Sequence, residues 1–563
     1  MAGASVCCVA QPASWCVPGT LGSLSEGSPC HHPAASSSAH ATLPGGGVAW
    51  RLPSLPQTTL PACLSVPVGG HQRRYSRRLA VRGSVESPAV VPPPPVAPAA
   101  PACIVAVVGA SAASPLQGEP WTAVMAHMAQ RLLWTDPAFV MHVVRDTDLP
   151  PIPSSQGSAP PIVVVVGVHD DAVGQRVVQR YAEALTLMAL DCGPAVEAAV
   201  RLGGSFQHPR SALAGLLAKL PWGPAAARRQ LAATIGSAWG RNRADDVLFG
   251  LLLLVDAFVR PVPQLAGLRA QDLGTLQKMA TKCGPQIWAC LTDASCKQAL
   301  DCLNACPPND QVCSYRCIVT YESPLLEAFS LCVLQKHNCL GLHAEPPALP
   351  AVQPMAAFRG QPLTHTAAED IFVGWLRDPA RQQAGRLAWS WRVVAGVNAA
   401  YDSFPCQYQL FYRGKARNSL WYDPVFKVQK LDSGEVVWRR RHYRVRRGDA
   451  PGTFYFSVLD NGVTSNEYWR IVDCPDDLSW ALFYYAGAAA AAGQAYSGAV
   501  LVTPDGDWPG KEQEERLCAA LDAAGIKLWE LYRVDNKSCD GAPLDISSKE
   551  LSPQGVESSL FES

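Results

Sequence analysis

The segments TFYFSVL (453–459), EYWRIVD (467–473), WALFYYAG (480–487) and SGAVLVT (497–503) decide the fold of this chain. Each is a short run of β-branched or aromatic residues, and Gly, Asn, Asp and Pro bound them, the pattern of strands separated by turns. In the first run Phe454, Phe456 and Val458 share one face, while Tyr455, Ser457 and Leu459 share the other, because successive side chains alternate across a strand. Upstream, VVWRRRHYRVR (436–446) and WRVVAGV (391–397) have the same character, so strands run from about Ala388 onward. Downstream, Lys511 to Ala524 reads as a helix, with acids in its first turn, Leu517 and Leu521 on one face, and Gly525 as its stop. Many antiparallel strands followed by one helix predict a closed up-and-down barrel, and about eight strands leave room for one elongated apolar ligand.

Ahead of the barrel the pattern changes. CIVAVVG (103–109) and PIVVVVG (161–167) read as buried strands, short Val-rich runs ended by Gly. Trp121 to Leu133, Ala172 to Leu190, Ala225 to Trp239 and Asp245 to Val259 have helical periodicity. Alternating strands and helices predict an α/β layer domain over 103–265. Its turn VVGASAASP (107–115) lacks the later glycines of a dinucleotide loop and the Gly-Lys-Ser/Thr ending of a P-loop, and reads as a structural βα turn. Residues 1–82 are rich in Ser, Ala, Gly and Pro, hold Glu26 as their only acid and end in a basic patch at Arg73, Arg74, Arg77, Arg78 and Arg82. That is the composition of a transit peptide, which the resemblance given below makes a chloroplast one. Residues 83–102 form a Pro/Ala-rich linker, and 541–563 a disordered tail.

Lys and Arg together number 47, as do Asp and Glu, so no global field recruits nucleic acid. Phe249 to Val259, the longest apolar stretch, is about half of what a bilayer crossing needs. Twenty cysteines are many for a reducing compartment, and nine lie between Cys283 and Cys339. Cys302 and Cys306 share one helix face, as do Cys313 and Cys317, and PPND (307–310) between them breaks the helix. Two antiparallel helices would join inner to inner, Cys306–Cys313, and outer to outer, Cys302–Cys317. A zinc site is the alternative, but the further cysteines around the block would be surplus to one metal, which favours disulfides and no metal. A disulfide-rich helical domain over 275–345 follows.

The cysteine block resembles that of violaxanthin de-epoxidase. The resemblance implies the bridges Cys283–Cys290, Cys302–Cys317, Cys306–Cys313 and Cys332–Cys339. The family's cysteines just before the block are absent, since LQKMATK (276–282) stands there, and Cys296 is left as a free thiol. AGVNAAYDSFPCQYQ (395–409) resembles the first-strand region of the family's lipocalin-like barrel, LFYYAG (482–487) and QAYSGAVLVT (494–503) its later strands, and DNKSC (535–539) its terminal cysteine. This implies a bridge Cys406–Cys539 and a lipocalin-like barrel over 385–540. SPLQGEPWTAVMAHMAQRLLW (114–134) and FVRPVPQLAGLR (258–269) resemble the de-epoxidase-related proteins, which carry the extra α/β domain.

What the resemblance implies chemically is removal of an epoxide oxygen from a xanthophyll with ascorbate as reductant, in the chloroplast and in association with the thylakoid membrane. The alternative is a plastid lipocalin that binds a carotenoid or other apolar ligand without turnover. The family's aspartate–tyrosine pair falls on Tyr485 and, in NEYW, on Glu467 or Asn466. Asp402 matches a family aspartate at the barrel mouth. Tyr401, Gln407, Tyr484, Tyr496 and Trp469 accompany these as substrate-binding candidates. Family residues that titrate with lumen pH are replaced by Gln409, Tyr412 and Pro405, so that switch is lost. His442 reads as a solvated strand residue, and the six arginines between Arg439 and Arg447 as an outward strand face or an anionic partner site.

Overall fold

The structure, a computed structural model, describes residues 102–149, 162–202, 224–268, 273–377, 386–398, 400–415 and 419–546. The expected transit peptide, nearly all of the linker and the tail beyond 546 lie outside the described residues.

The first layer region is built on strands β1 (Ala102–Val108), β2 (Phe139–Arg145), β3 (Ile162–Val166), β4 (Thr186–Leu190) and β5 (Arg201–Leu202), in the order β2-β1-β3-β4-β5. The first four run parallel and β5 pairs antiparallel at the edge. Parallel strands are covered on both faces, which is why β1 and β3 are continuous Val-rich runs and not alternating ones. Ile104, Ala106 and Val108 pack with helices α1 (Trp121–Thr135), α4 (Pro224–Trp239) and α5 (Ala244–Phe258). Val105 and Val107 pack on the other side, with Val177 of α2 (Asp171–Arg180) and Val196 of the short α3 (Pro194–Glu197). The helix expected over Ala172 to Leu190 is therefore corrected: it ends at Arg180, and TLMAL joins the sheet as β4. A short apolar run fits either structure, and pairing with β3 decides it.

The cysteine-rich region follows as α6 (Leu273–Thr292), α7 (Ala294–Ala305), α8 (Gln311–Tyr321), α9 (Pro324–Ser330) and a π-helical turn, Leu331–Lys336. Cys302–Cys317 and Cys306–Cys313 join α7 to α8 across the PPND loop, as two facing helices require. The other bridges are Cys283–Cys332 and Cys290–Cys296. Cys283 sits at a kink within α6, and the helix that runs on from it to Cys290 rises by about 9 Å, beyond the roughly 7 Å that a disulfide spans. The pair implied by resemblance is thus excluded. Cys283 instead lies 5.9 Å, Cα to Cα, from Cys332. Cys332 is taken, so Cys339 is a buried free thiol and not a bridge member. Cys296 is not free: it closes the turn between α6 and α7, where Asp293 caps α7 through the Cys296 N–H.

The barrel comes last. Strands β6 (Ala357–Phe358) and β7 (Gln361–Pro362) form a small hairpin ahead of it. The ring consists of β8 (Trp391–Val397), β9 (Tyr408–Arg413), β10 (Leu420–Gln429), β12 (Tyr443–Arg447), β13 (Thr453–Asp460), β14 (Val463–Asp473), β15 (Ala481–Ala489) and β16 (Gln494–Thr503), closed by pairing of β16 with β8. β11 (Val436–Arg440) pairs with β10 outside the ring, and β17 (Leu531–Arg533) with β8. VVWRRRHYRVR is consequently two strands, β11 and β12, parted at Arg441–His442, where Arg441 turns away to pair with Asp460 and Tyr315. Helix α10 (His365–Val373) plugs one end: the Phe372 ring sits 4.6–4.7 Å from those of Phe411, Phe454 and Phe483. Helix α11 (Ala400–Ser403) follows β8. Helix α12 (Glu514–Ala523) packs Leu517 and Leu521 against the outer face, beside Leu482 and Tyr484. Cys406–Cys539 ties the segment after β17 to the entry of β9. Residues expected in a disordered tail up to 546 pack on the barrel, where Arg440 donates to the carbonyls of Pro543 and Asp545.

Candidate functional site inside the barrel

Strand alternation settles the register of NEYW. Along β14 Ser465, Glu467, Trp469 and Ile471 are buried, whereas Asn466 is exposed on the outside. Of the two candidates for the acid, the inward one is therefore Glu467. Its Oε2 accepts from Trp469 Nε1 at 2.6 Å and its Oε1 from the Tyr496 hydroxyl at 3.0 Å. No Arg, Lys or His bonds it among the described residues. Burial raises the Glu467 pKa, and the hydrogen bonds from Trp469 and Tyr496 oppose this only in part. The side chain is thus favoured as a neutral acid.

Tyr485 stands opposite Trp469 in the β14–β15 register, and their rings stack at 5.3 Å. Its hydroxyl receives Asn398 Nδ2 at 3.3 Å and lies 3.5 Å from the Tyr401 hydroxyl. Burial first, then the neighbouring Tyr401, pushes Tyr485 well above the ordinary phenol value, so it remains a proton-bearing hydroxyl. Three strand glycines make the space. A Cβ on Gly498 would meet the Tyr485 hydroxyl, one on Gly396 the Tyr401 ring, and one on Gly487 both Tyr496 and Glu467. Sequence reading missed these glycines and Asn398. An isolated Gly inside each of three strand patterns was the available signal, since it marks close approach of another group.

Glu467, Trp469, Tyr485, Tyr496 and Tyr401 are brought together. The other candidates are not. Asp402, on α11 next to Tyr401, points outward and is held by both Nη atoms of Arg243, at 3.2 and 3.3 Å. Gln407 is buried, but its amide donates to the carbonyls of Ala400, Tyr401 and Phe404 and so fixes α11. Tyr484, one residue from Tyr485, lies on the opposite face under α12. Gln409, inside the barrel, accepts from the Tyr422 hydroxyl, while its Nε2 is buried without a partner. Tyr412 donates to Asp423 on the outer face, where Asp423 also holds His442 Nδ1 at 2.7 Å. His442 is half in solvent but ordered, stacked on Trp421 at 4.3 Å.

Residues 275–536 match the VDE lipocalin domain family. Over those residues the match supports a violaxanthin de-epoxidase-related, lipocalin-like region. The chain is 22% identical over 267 residues to the chloroplastic violaxanthin de-epoxidase of Arabidopsis thaliana, an overlap of 46% of this chain and 52% of the relative. The chain thus spans about half the length of the curated relative it matches. Among solved structures it is similar to lobster apocrustacyanin A1 (12% identity, 35% of this chain, 96% of the other, TM-score 0.21). It is also similar to the siderocalin Ex-FABP (8%, 26%, 93%, TM-score 0.21). The α/β region before residue 275 lies outside the residues that the family match covers. No helix among the described residues is long and apolar enough to cross a membrane.

Proposed function

We propose that the barrel deoxygenates a xanthophyll epoxide, with Glu467 as the acid that protonates the epoxide oxygen and Tyr485 as the hydroxyl that orients it. The carrying observation is a fully enclosed carboxyl whose pKa burial has raised, bonded only by uncharged donors. An acid of this kind keeps its proton at pH values where an exposed glutamate has lost it. Ascorbate, the reductant that the resemblance implies, supplies two electrons and two protons, so that the oxygen leaves as water and a carbon–carbon double bond remains. The interior rings Phe411, Phe456, Trp469 and Phe483 pack around Phe372 and are of the aromatic character that a polyene would meet if Phe372 made way for it, and the unpaired Gln409 Nε2 offers a donor to a polar ring end. A plastid location and work at the thylakoid surface belong to the same proposal, by likeness to the chloroplastic relative. Purified protein given violaxanthin in lipid micelles with ascorbate is expected to form zeaxanthin, and the Glu467→Gln variant is not. Absence of zeaxanthin with the wild type throughout about pH 5 to 7.5 removes the proposal.

A second reading, a lipocalin that holds a carotenoid without turnover, is favoured by one feature: Asp402 is spent on Arg243 outside the barrel. It predicts pigment bound by wild type and Glu467→Gln alike, with no product from either.

A further inference from the structure

Of the six arginines between Arg439 and Arg447, four are consumed inside the molecule. Arg439 pairs with Glu322, Arg440 with Asp423, Arg441 with Asp460 and Arg447 with Glu369. Arg444 and Arg446 are exposed on β12, and no carboxylate pairs with them among the described residues. Register extends this face across the next two strands. Arg446 lies opposite Tyr455, and Tyr455 opposite Tyr468, with which it stacks at 4.8 Å. Arg444 lies opposite Ser457, and Ser457 opposite Asn466. Arg470 completes the face, its guanidinium 4.3 Å over the Tyr468 ring. Burial pulls the Arg470 pKa below the ordinary value, and only tyrosines, no carboxylate, oppose that. Three guanidiniums, two tyrosines and no acid therefore share one outer sheet face, on a chain whose overall charge is zero. Tyr455 is 41% exposed and Leu459, at the end of the same strand, 55%.

We propose that the outer face of β12–β14 docks an acidic segment of a partner protein. All three cations are Arg, whose planar fork matches carboxylates in pairs, and Tyr with Arg is the composition enriched where proteins bind proteins. These strands lie within the closed ring, so their backbone groups are already paired and recognition falls to side chains. An anionic lipid surface is the competing occupant. Tyr and Arg also suit a headgroup interface, but the only aliphatic side chain this face exposes among the described residues is Leu459, which leaves little apolar surface to insert.

The test is fluorescence anisotropy of a labelled hexaglutamate peptide with the full chain at low ionic strength. Binding is expected, weakening with added salt, and the Arg444→Glu, Arg446→Glu double variant is expected to bind at least about tenfold more weakly. Tyr455→Ala should weaken it as well, while Arg176→Glu on the distant α2 should leave it unchanged. If charge reversal impairs folding, by thermal unfolding, the milder Arg444→Gln, Arg446→Gln pair is read instead. No binding of hexaglutamate, or equal binding by the double variant, overturns the proposal. So does capture by phosphatidylglycerol vesicles that depends on the same arginines while hexaglutamate is ignored, which would assign the face to a membrane.

Discussion

Glu467 and Glu530 are each 2% exposed, yet they live in opposite environments. Glu467, in the barrel interior, is bonded by an indole and a phenol. Glu530, in the turn before β17, meets the α/β region: His127 Nε2 at 2.8 Å, Arg131 Nη1 at 3.1 Å, and the Lys527 N–H at 2.9 Å. Burial pushes both carboxyls upward. At Glu530 the hydrogen bond from His127 and the charge of Arg131 outweigh burial and hold the pKa below the ordinary value, whereas at Glu467 burial prevails. Where the fold holds a charged carboxylate as a joint, it supplies the guanidinium of Arg131. Around Glu467, inside the barrel, it supplies only neutral donors. One glutamate holds two regions together, and the other is a cost that the rest of the barrel carries.

The largest expected effect breaks the joint. Glu530→Ala leaves Arg131 and His127 facing a void, and should lower the unfolding free energy by about 3–5 kcal/mol, read by denaturant titration. Glu467→Gln should do the reverse of what its burial suggests: stability at neutral pH is kept or raised, while epoxide turnover falls by about 10²–10⁴-fold. The pH dependences have opposite signs. Glu530, with its depressed folded pKa, contributes stability above the unfolded value of about 4.3 that is lost as pH falls through the folded pKa. Glu467, with its raised folded pKa, contributes below about 4.3 and that contribution is lost as pH rises through the folded value. Melting temperatures measured from acid to neutral pH should therefore show the Glu467→Gln advantage growing upward and the penalty of Glu530→Gln shrinking downward. If both variants move in the same direction, the contrast between the two carboxyls is wrong.

The barrel was legible because β13 and β14 alternate between their two faces, β15 and β16 are β-branched or aromatic runs, and Gly and Asn mark the turns, and α12 because its first turn, apolar face and stop all agree. β9 and β10 escaped, since QLFYR and LWYDPVFKV are buried on both faces and lose the period of two: Asp423 and Tyr412 face outward but are covered by Arg440 and His442. The α7–α8 bridges followed from helix geometry. The flanking bridges did not, because Cys283 and Cys332 are brought together by packing of α6 against the π-helical turn, a contact with no local signature. Within the site, alternation alone could have chosen Glu467 over Asn466 had the register of β14 been carried inward from Trp469. The outward turn of Asp402 could not be read, because its partner Arg243 lies 159 residues upstream.

A smaller effect tests the glycine cradle. Gly498→Ala places a methyl against the Tyr485 hydroxyl, 2.6 Å from an ideal Cβ, with the Val397 carbonyl 3.1 Å behind. A rigid, buried ring has little room to retreat, so overpacking should cost about 1–3 kcal/mol and move Tyr485 away from Asn398. Thermal unfolding reads the cost, and loss of turnover beyond that explained by unfolding reads the displacement. Ala495→Gly, on the same strand but outward, controls for backbone effects.

The smallest effect concerns the link between the α/β region and the barrel mouth. Arg243 grips Asp402 while Tyr401, its neighbour, inserts beside Tyr485. The pair is partly open to solvent, with the Asp402 side chain 38% exposed, so Arg243→Ala should change stability by less than about 1 kcal/mol. Its consequence should be local: amide exchange across Ala400–Ser403 speeds up, while exchange in β15 does not. An unchanged α11 would mean that Gln407, through its three carbonyl contacts, holds the turn unaided, and that the α/β region grips the barrel through Glu530 and the Gln117 contacts to Trp529 and Leu531 rather than through Asp402.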